Sequence, residues 1–184
     1  MNTPTLFDTM HLVHVRHAGQ VDALGHNYYT GHLLPISSAL VGFGEQAQVL
    51  GLLHDIVEDT DVTLEELRRL GYDEEVVAGV DAMSRRTDPV TGAKEPYAAL
   101  IERSCRHPLG RLGKIVDNRW NILLNAELAR TNPRKAASLL NSRYLPARKK
   151  LLAGSGVTGA ELQAIDVELR RHMGWLHIST GLAA

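Results

Sequence analysis

The stretch GLLHDIVEDT, residues 51–60, places four ionisable side chains in an otherwise apolar segment. Its apolar residues predict a helix that is buried on most sides, where a carboxylate or an imidazolium is costly without a compensating salt bridge or metal ion. Adjacent helical residues lie about 100° apart, so His54 and Asp55 can lean toward one ion. Glu58 follows one turn after His54 on the same face, with Asp59 beside it, so both acids would lie next to that ion.

Two further segments can complete a metal shell. KIVDNRWN puts Asp117 among apolar residues of a predicted helix, and YYTGH puts His32 at the start of a helix after a loop. Two imidazoles and two carboxylates would then come from His32, His54, Asp55 and Asp117. This nitrogen and oxygen set suits manganese, iron or zinc better than calcium or a thiolate-binding metal. Open coordination positions would take water and a substrate oxygen.

Helical spacing dominates the chain, and alternating strand patterns are scarce. We predict an all-α bundle of about eight helices in one domain over residues 1–184. Thr63 and Thr158 are each followed three residues later by glutamate, a pattern typical of N-terminal capping boxes. The predicted loops are 19–31 and 84–96, the second being a rim or lid. The predicted helices cover 5–17, 32–42, 45–59, 63–71, 73–84, 95–106, 108–130, 133–153 and 159–177.

Composition narrows the functional classes. The chain has 184 residues and a net charge of −1, so no overall field would recruit nucleic acid or an anionic membrane. A single cysteine, Cys105, excludes a disulfide framework and fits a reducing cytoplasm. The N-terminus lacks the pattern of a signal peptide, and no apolar run is long enough to span a bilayer. We therefore expect a cytoplasmic protein without nucleic-acid or membrane partners, with self-association into a homo-oligomer left open.

The stretches RHAGQ, YYTGH, LLHDIVEDT with VTLEELRRLGYDEEVVAGV, and KIVDNRWN follow one another over residues 16–121. In this order they resemble the HD superfamily of metal-dependent phosphohydrolases, and within it the RelA/SpoT-type hydrolases of the stringent response, in a small form without a synthetase part. The Glu-Asp extension of the His-Asp pair makes the likeness specific. It implies an HD-domain helical bundle, with its motif core at 16–121 and C-terminal helices at 133–178.

The resemblance also implies roles for individual residues. One divalent ion, most often Mn²⁺ with Fe²⁺, Zn²⁺, Co²⁺ or Mg²⁺ as alternatives, would be held by His32, His54, Asp55 and Asp117. Glu58 and Asp59 would assist hydrolysis of the 3′-pyrophosphate of guanosine 3′,5′-bis(diphosphate), called ppGpp. Contacts to this small-molecule nucleotide would come from Arg16, Tyr29, Lys114 and Asn121.

The chain departs from that family at Ala23 and Leu24, where the family has a basic pair that helps to hold the guanine nucleotide. A phosphohydrolase of another nucleotide, bearing a 2′-, 3′- or 5′-phosphate, therefore stays open, as does a catalytically silent nucleotide-binding sensor. The Glu58–Asp59 pair argues against the sensor, because binding alone does not need those acids. No motif supports His17 as a site residue, and we interpret it as exposed or core.

Overall fold

The computed structural model describes residues 3–181, and the side chains of residues 3–177. Over this range the chain is helical, and its β-structure is limited to two isolated bridges, Val21–Asn27 and Thr87–Lys94. The all-α prediction is confirmed. The helices are α1 (Leu6–Arg16), α2 (Leu34–Ala39), α3 (Glu45–Leu53), α4 (Ile56–Asp59), α5 (Leu64–Leu70), α6 (Glu74–Met83), α7 (Tyr97–Arg106), α8 (Pro108–Thr131), α9 (Pro133–Leu139), α10 (Leu145–Leu152) and α11 (Gly159–Gly181).

Two π-helical turns interrupt the predicted pattern. The first, Tyr29–Leu33, leads directly into α2, so the loop predicted at 19–31 ends earlier than expected. The second, Leu140–Tyr144, joins α9 to α10 within the single helix predicted at 133–153. Each π turn widens the helix by one residue and re-aims the side chains that follow it.

The helix predicted at 45–59 is wrong in one respect, because it breaks at His54 and Asp55. α3 ends at Leu53 and α4 begins at Ile56. In a continuous helix the carbonyl of Gly51 would accept from the amide of Asp55. Here it accepts instead from Nδ1 of His54 at 2.8 Å. The imidazole thus replaces a backbone donor, and the chain turns at the pair of residues that carry chemistry.

The two predicted capping boxes differ in outcome. At the start of α11 the box is complete: the Thr158 hydroxyl accepts from the amide of Glu161 at 3.2 Å, and the Glu161 carboxylate accepts from the amide of Thr158 at 2.7 Å. At the start of α5 only the Thr63 half forms, accepting from the amide of Glu66. The carboxylate of Glu66 accepts from Arg16 instead, at 3.1 Å.

Two buried clusters hold the elements of the candidate site together. One packs α1, α3, α5 and α6 around side chains such as Leu50 and Ile56, and the other packs α2, α8 and α11 around Trp120. The indole Nε1 of Trp120 donates to the carbonyl of Gly31 at 2.9 Å, which ties α8 to the first π turn. Within the range that the structure covers, no helix combines the length and apolarity needed to cross a membrane.

Candidate metal centre

Three elements bring the four predicted ligands to one place. His32 lies in the first π turn, His54 and Asp55 in the turn between α3 and α4, and Asp117 in α8. The Nε2 atoms of His32 and His54 are 3.2 Å apart. Asp55 Oδ2 lies 3.2 Å from the first of these nitrogens and 2.9 Å from the second. Asp117 Oδ1 lies farther away, at 3.6 and 3.9 Å.

These separations fit a shared metal ion. Ligand atoms bonded to one ion at about 2.0–2.1 Å are separated by about 2.9–3.4 Å in tetrahedral or octahedral geometry. His54 Nδ1 donates to Gly51, so the lone pair of its Nε2 faces the cluster. His32, His54 and Asp55 have ligand atoms that all lie within 4.8 Å of one another. Asp117 is not part of this group of three, but its Oδ1 lies within 3.9 Å of both imidazole nitrogens, where a fourth donor is predicted.

The charges of the cluster favour a bound cation. Burial disfavours the imidazolium of His54, but the Asp55 and Asp117 carboxylates outweigh burial and raise its pKa to about 9. Burial would also raise the pKa of Asp55, but His54 and His32 hold it well below its usual range. Both shifts mean that negative charge here needs a positive partner, which is either a proton or a metal ion.

Lys114 and Asn121, predicted to contact substrate, contact Asp117. Lys114 Nζ donates to Asp117 Oδ2 at 2.9 Å, and Asn121 Nδ2 donates to Oδ1 at 2.5 Å. Burial opposes ionisation of this carboxyl, but Lys114 and the two imidazoles hold the pKa of Asp117 below its usual value. The two side chains orient this carboxylate while also lining the cavity beside it.

Tyr28 is the central ring of an aromatic stack beside the predicted ligands, and the sequence analysis did not identify it. The Tyr28 hydroxyl donates to Asp55 Oδ2 at 2.5 Å, and its ring stacks on His32 with centroids 4.8 Å apart. Burial raises the pKa of Tyr28 far above its ordinary value, so the hydroxyl remains a donor. The spacing of Tyr28 four residues before His32, one helical turn, is the sequence signal that indicates this contact.

Two predicted substrate contacts lie elsewhere. The guanidinium of Arg16 pairs with Asp61 at 3.0 Å and Glu66 at 3.1 Å, and Arg16 does not line the cavity. Tyr29 packs edge-on against His14, with ring centroids 5.2 Å apart. The structure therefore brings neither side chain to the ligand cluster.

The acids Glu58 and Asp59 line the same cavity as His32, Asp55 and Asp117, and each acid has different hydrogen-bond partners. Glu58 accepts from Lys94 Nζ and from the backbone amide of Arg85, both at 2.9 Å. Asp59 accepts from Gln20 Nε2 at 2.8 Å. Glu58 is thus tied to the 84–96 loop, and Asp59 to the loop after α1.

His17 is buried and belongs to this second connection. Its Nδ1 lies 2.7 Å from Gln20 Oε1, and its ring stacks on Tyr28 with centroids 5.4 Å apart. Because the Gln20 amide must turn its nitrogen toward Asp59, its oxygen faces His17, which requires the proton on Nδ1. His17 Nε2 is buried without a hydrogen-bond partner among the described residues.

The cavity measures about 180 Å³. Its wall also contains aromatic and basic side chains from three elements that the sequence analysis did not assign to the site. These are Arg85, Tyr97, Arg143 and Tyr144. A second cavity of about 80 Å³ shares His32, Asn121 and Tyr144 with it, and is otherwise lined largely by apolar residues from α8, α9 and the loop around Leu24.

Comparison with solved structures finds proteins of similar fold. No protein-family model and no curated protein matches the chain. A solved structure matches with a TM-score of 0.64 and 18% sequence identity, over 95% of this chain and 98% of that chain. That protein is described as a metazoan ortholog of SpoT that hydrolyzes ppGpp and plays a role in starvation responses. The match shows that the two chains share one fold over nearly the whole of both.

Proposed function

We propose that this chain is a metal-dependent phosphohydrolase that removes the 3′-pyrophosphate of ppGpp. One observation carries the proposal: Glu58 and Asp59 line one cavity with His32, Asp55 and Asp117, and the buried His54 ring contacts His32 and Asp55. The neighbour with the same fold is described as hydrolyzing ppGpp, which supports the substrate. No binding-only site needs the two acids, so the enzyme is favoured over the silent sensor.

The ligand set suits one divalent ion, for which we propose Mn²⁺, with Fe²⁺, Zn²⁺, Co²⁺ and Mg²⁺ as alternatives. When bound, such an ion supplies Lewis acidity toward a phosphoryl oxygen and favours deprotonation of water. The residues that would hold it are His32, His54, Asp55 and Asp117. The contacts of Asp117 with Lys114 and Asn121 keep its carboxylate turned toward that position.

Glu58 and Asp59 would position the attacking water and accept its proton. Water adds to the phosphorus at the 3′ position, the bond from that phosphorus to ribose O3′ breaks, and pyrophosphate leaves. Glu58 and Asp59 orient the water and take up its proton, which is then available to the departing O3′. Gln20 holds Asp59 in place for this step.

A second candidate is a phosphohydrolase of another nucleotide, and the smaller cavity favours it. Its wall includes Ala23 and Leu24 in place of basic residues, and Asp22, which is already engaged. The Asp22 carboxylate accepts from the amides of Leu24 and His26 and from the His26 ring. The wall of this cavity therefore offers a nucleobase an apolar surface, and its described residues include no unpaired lysine or arginine side chain.

Turnover by metal-stripped protein resupplied with Mn²⁺ tests the proposal. We expect one pyrophosphate and one guanosine diphosphate from each ppGpp, and no product without metal. A panel of 2′-, 3′- and 5′-phosphorylated nucleotides is assayed in parallel. Phosphate release from one of these nucleotides, without hydrolysis of ppGpp, would support a phosphohydrolase whose substrate is not ppGpp. A metal-loaded protein that hydrolyses none of them would contradict the enzyme proposal and favour the sensor.

Tyr28→Phe is expected to weaken Mn²⁺ binding about 10- to 100-fold, the usual effect of removing a partner of a metal ligand. The variant keeps the ring stacked on His32 and removes only the hydroxyl that donates to Asp55. Competition with a chelating dye measures the affinity. Tyr29→Phe is the matched control, because Tyr29 lies outside the cavity. Equal Mn²⁺ affinity in both variants would refute a supporting role for Tyr28.

A further inference from the structure

Arg143 is a cationic side chain of the cavity that the proposed chemistry does not use. It lies in the second π turn, is half-buried, and its guanidinium carbon sits 4.3 Å from the centroid of the Tyr97 ring. In the part of the chain that the structure describes, no carboxylate lies within salt-bridge distance of it. Of the other two cations of the wall, Lys114 pairs with the carboxylate of Asp117, and Arg85 donates from Nε to the backbone carbonyl of Glu95 at 2.7 Å.

Stacking leaves the useful part of Arg143 free. An arginine over an aromatic face uses the face of its guanidinium and keeps the N–H donors along its edge available. Those donors match the paired oxygens of a phosphate. Burial raises the pKa of Tyr97, so this ring stays uncharged beneath the cation. The pair is therefore organised to receive an anion that the structure does not itself supply.

The backbone around Arg143 is fixed relative to the metal ligands. Asn118 is buried in α8, one residue after Asp117, and its Nδ2 donates to the carbonyl of Tyr144 at 3.0 Å. This bond anchors the second π turn to the helix that carries the fourth ligand. π turns inside helices are frequent at functional sites, because the inserted residue redirects the side chains around it.

Electrostatics explain why a substrate would need this cation. The cavity contains four carboxylates, from Asp55, Glu58, Asp59 and Asp117. A metal ion and the acid pair can bind and activate the phosphoryl group that reacts. A second phosphate in the same cavity would be repelled by the four carboxylates unless a cationic side chain were in contact with it.

We infer that Arg143 binds a phosphate group of the substrate other than the one that reacts. The inference rests on the proposed function and narrows it to nucleotides with phosphates at two separate positions. Arg143 thereby determines specificity between nucleotides phosphorylated at two positions and those phosphorylated at one. A nucleotide with a single phosphorylated position has no second phosphate for Arg143 to bind.

Nucleotide binding by Arg143→Gln tests the inference. Affinities for ppGpp and for guanosine 3′-diphosphate, which lacks the 5′-diphosphate, are measured by calorimetry on Mn²⁺-loaded protein. The parent protein of this comparison and all variants made from it carry Glu58→Gln, which slows hydrolysis of the nucleotide during the titration. We expect Arg143→Gln to weaken ppGpp binding about 10- to 100-fold, as for a lost hydrogen bond to a charged group, and guanosine 3′-diphosphate binding by no more than about 2-fold.

Two further variants separate a charge contact from a structural effect. Arg143→Lys keeps the charge without the planar fork and is expected to fall between Arg143→Gln and the parent in ppGpp affinity. Arg134→Gln removes an exposed arginine of α9 and is expected to bind both nucleotides as the parent does. Thermal unfolding of each variant measures any loss of fold.

The outcomes distinguish this inference from the proposed function. An equal loss of affinity for both nucleotides, no loss for either, or no binding of either by the parent would overturn the role of Arg143. If the wild-type chain hydrolyses neither nucleotide, yet Arg143→Gln selectively weakens ppGpp binding, the proposed hydrolase fails and the second anion site stands.

Discussion

Asp55→Ala is expected to abolish stoichiometric Mn²⁺ binding and to reduce hydrolysis of ppGpp by at least about 10³-fold, since metal catalysis contributes several kcal/mol. Asp55 Oδ2 lies close to both imidazoles, at 2.9 Å from His54 Nε2 and 3.2 Å from His32 Nε2. Its removal deletes an anionic donor and leaves two nearby nitrogens without the charge that offsets a cation. Metal content after dialysis and steady-state turnover are the measurements.

Asp61→Ala is the control for this result. Asp61 lies six residues later, its side chain is 78% exposed, and it pairs only with Arg16 on the surface. We expect Asp61→Ala to keep full metal content and turnover. An Asp55→Ala protein that still bound one Mn²⁺ per chain with unchanged affinity would contradict the ligand set. Thermal unfolding of both variants separates lost metal from lost fold.

Sequence reasoning could select His54, Asp55 and Asp117 as candidate ligands because each is a polar group within an apolar helical motif, whereas His32 was selected from the YYTGH stretch after a loop. Asp117 is flanked by Val116 and lies one turn from Trp120, so its burial follows from helical periodicity alone. The structure brings His32 and His54 to it through packing of α2, α3 and α8. The all-α fold was accessible for the same reason, since periodicity and capping are local signals.

The turn between α3 and α4 could not be predicted in this way. The apolar pattern of residues 45–59 is that of an uninterrupted helix, and only the capture of the Gly51 carbonyl by His54 breaks it. The carbonyl of Gly51 can accept either from the amide of Asp55 or from the ring of His54. Hydrophobic periodicity does not indicate which of these two donors it accepts from. The predicted geometry of His54 and Asp55 was therefore wrong, although the residues were placed in the same site.

Contacts between distant segments were also missed. Arg143 meets Tyr97 across 46 positions of sequence, and no motif joins them. His17 was interpreted as exposed or core, but its link to Asp59 depends on the amide of Gln20, in a loop that appeared only polar. In each pair, one residue carries no sequence signal that indicates its role. Only the tertiary structure therefore identifies the contact.

The acid pair combines two separate supports. Glu58 is held by the 84–96 loop through Lys94 and the amide of Arg85, whereas Asp59 is held by Gln20. The loop was predicted as a rim or lid, and its contact with Glu58 places it at the rim. Because the acids have separate anchors, a substitution at one of them leaves the support of the other intact.

Glu58→Gln is therefore expected to lower kcat for ppGpp about 10²- to 10⁴-fold, the range for loss of a general acid–base group, with Mn²⁺ affinity changed by less than about 3-fold. The substitution is isosteric, and the new amide oxygen can still accept from the amide of Arg85. What disappears is the carboxylate charge that we propose takes up the proton of water. Stopped-flow or steady-state turnover at saturating Mn²⁺ measures the effect.

Two controls decide what a loss of turnover means. Lys94→Gln removes the ion-pair partner of Glu58 but keeps its carboxylate, so it is expected to retain most of kcat. Glu65→Gln alters a glutamate whose side chain is 85% exposed and should have no effect. If Lys94→Gln lost as much activity as Glu58→Gln, the ion pair rather than the acid would account for the loss. If Glu58→Gln kept full turnover, Asp59 alone would carry the proton, because it is the remaining acid in α4 that faces the cavity.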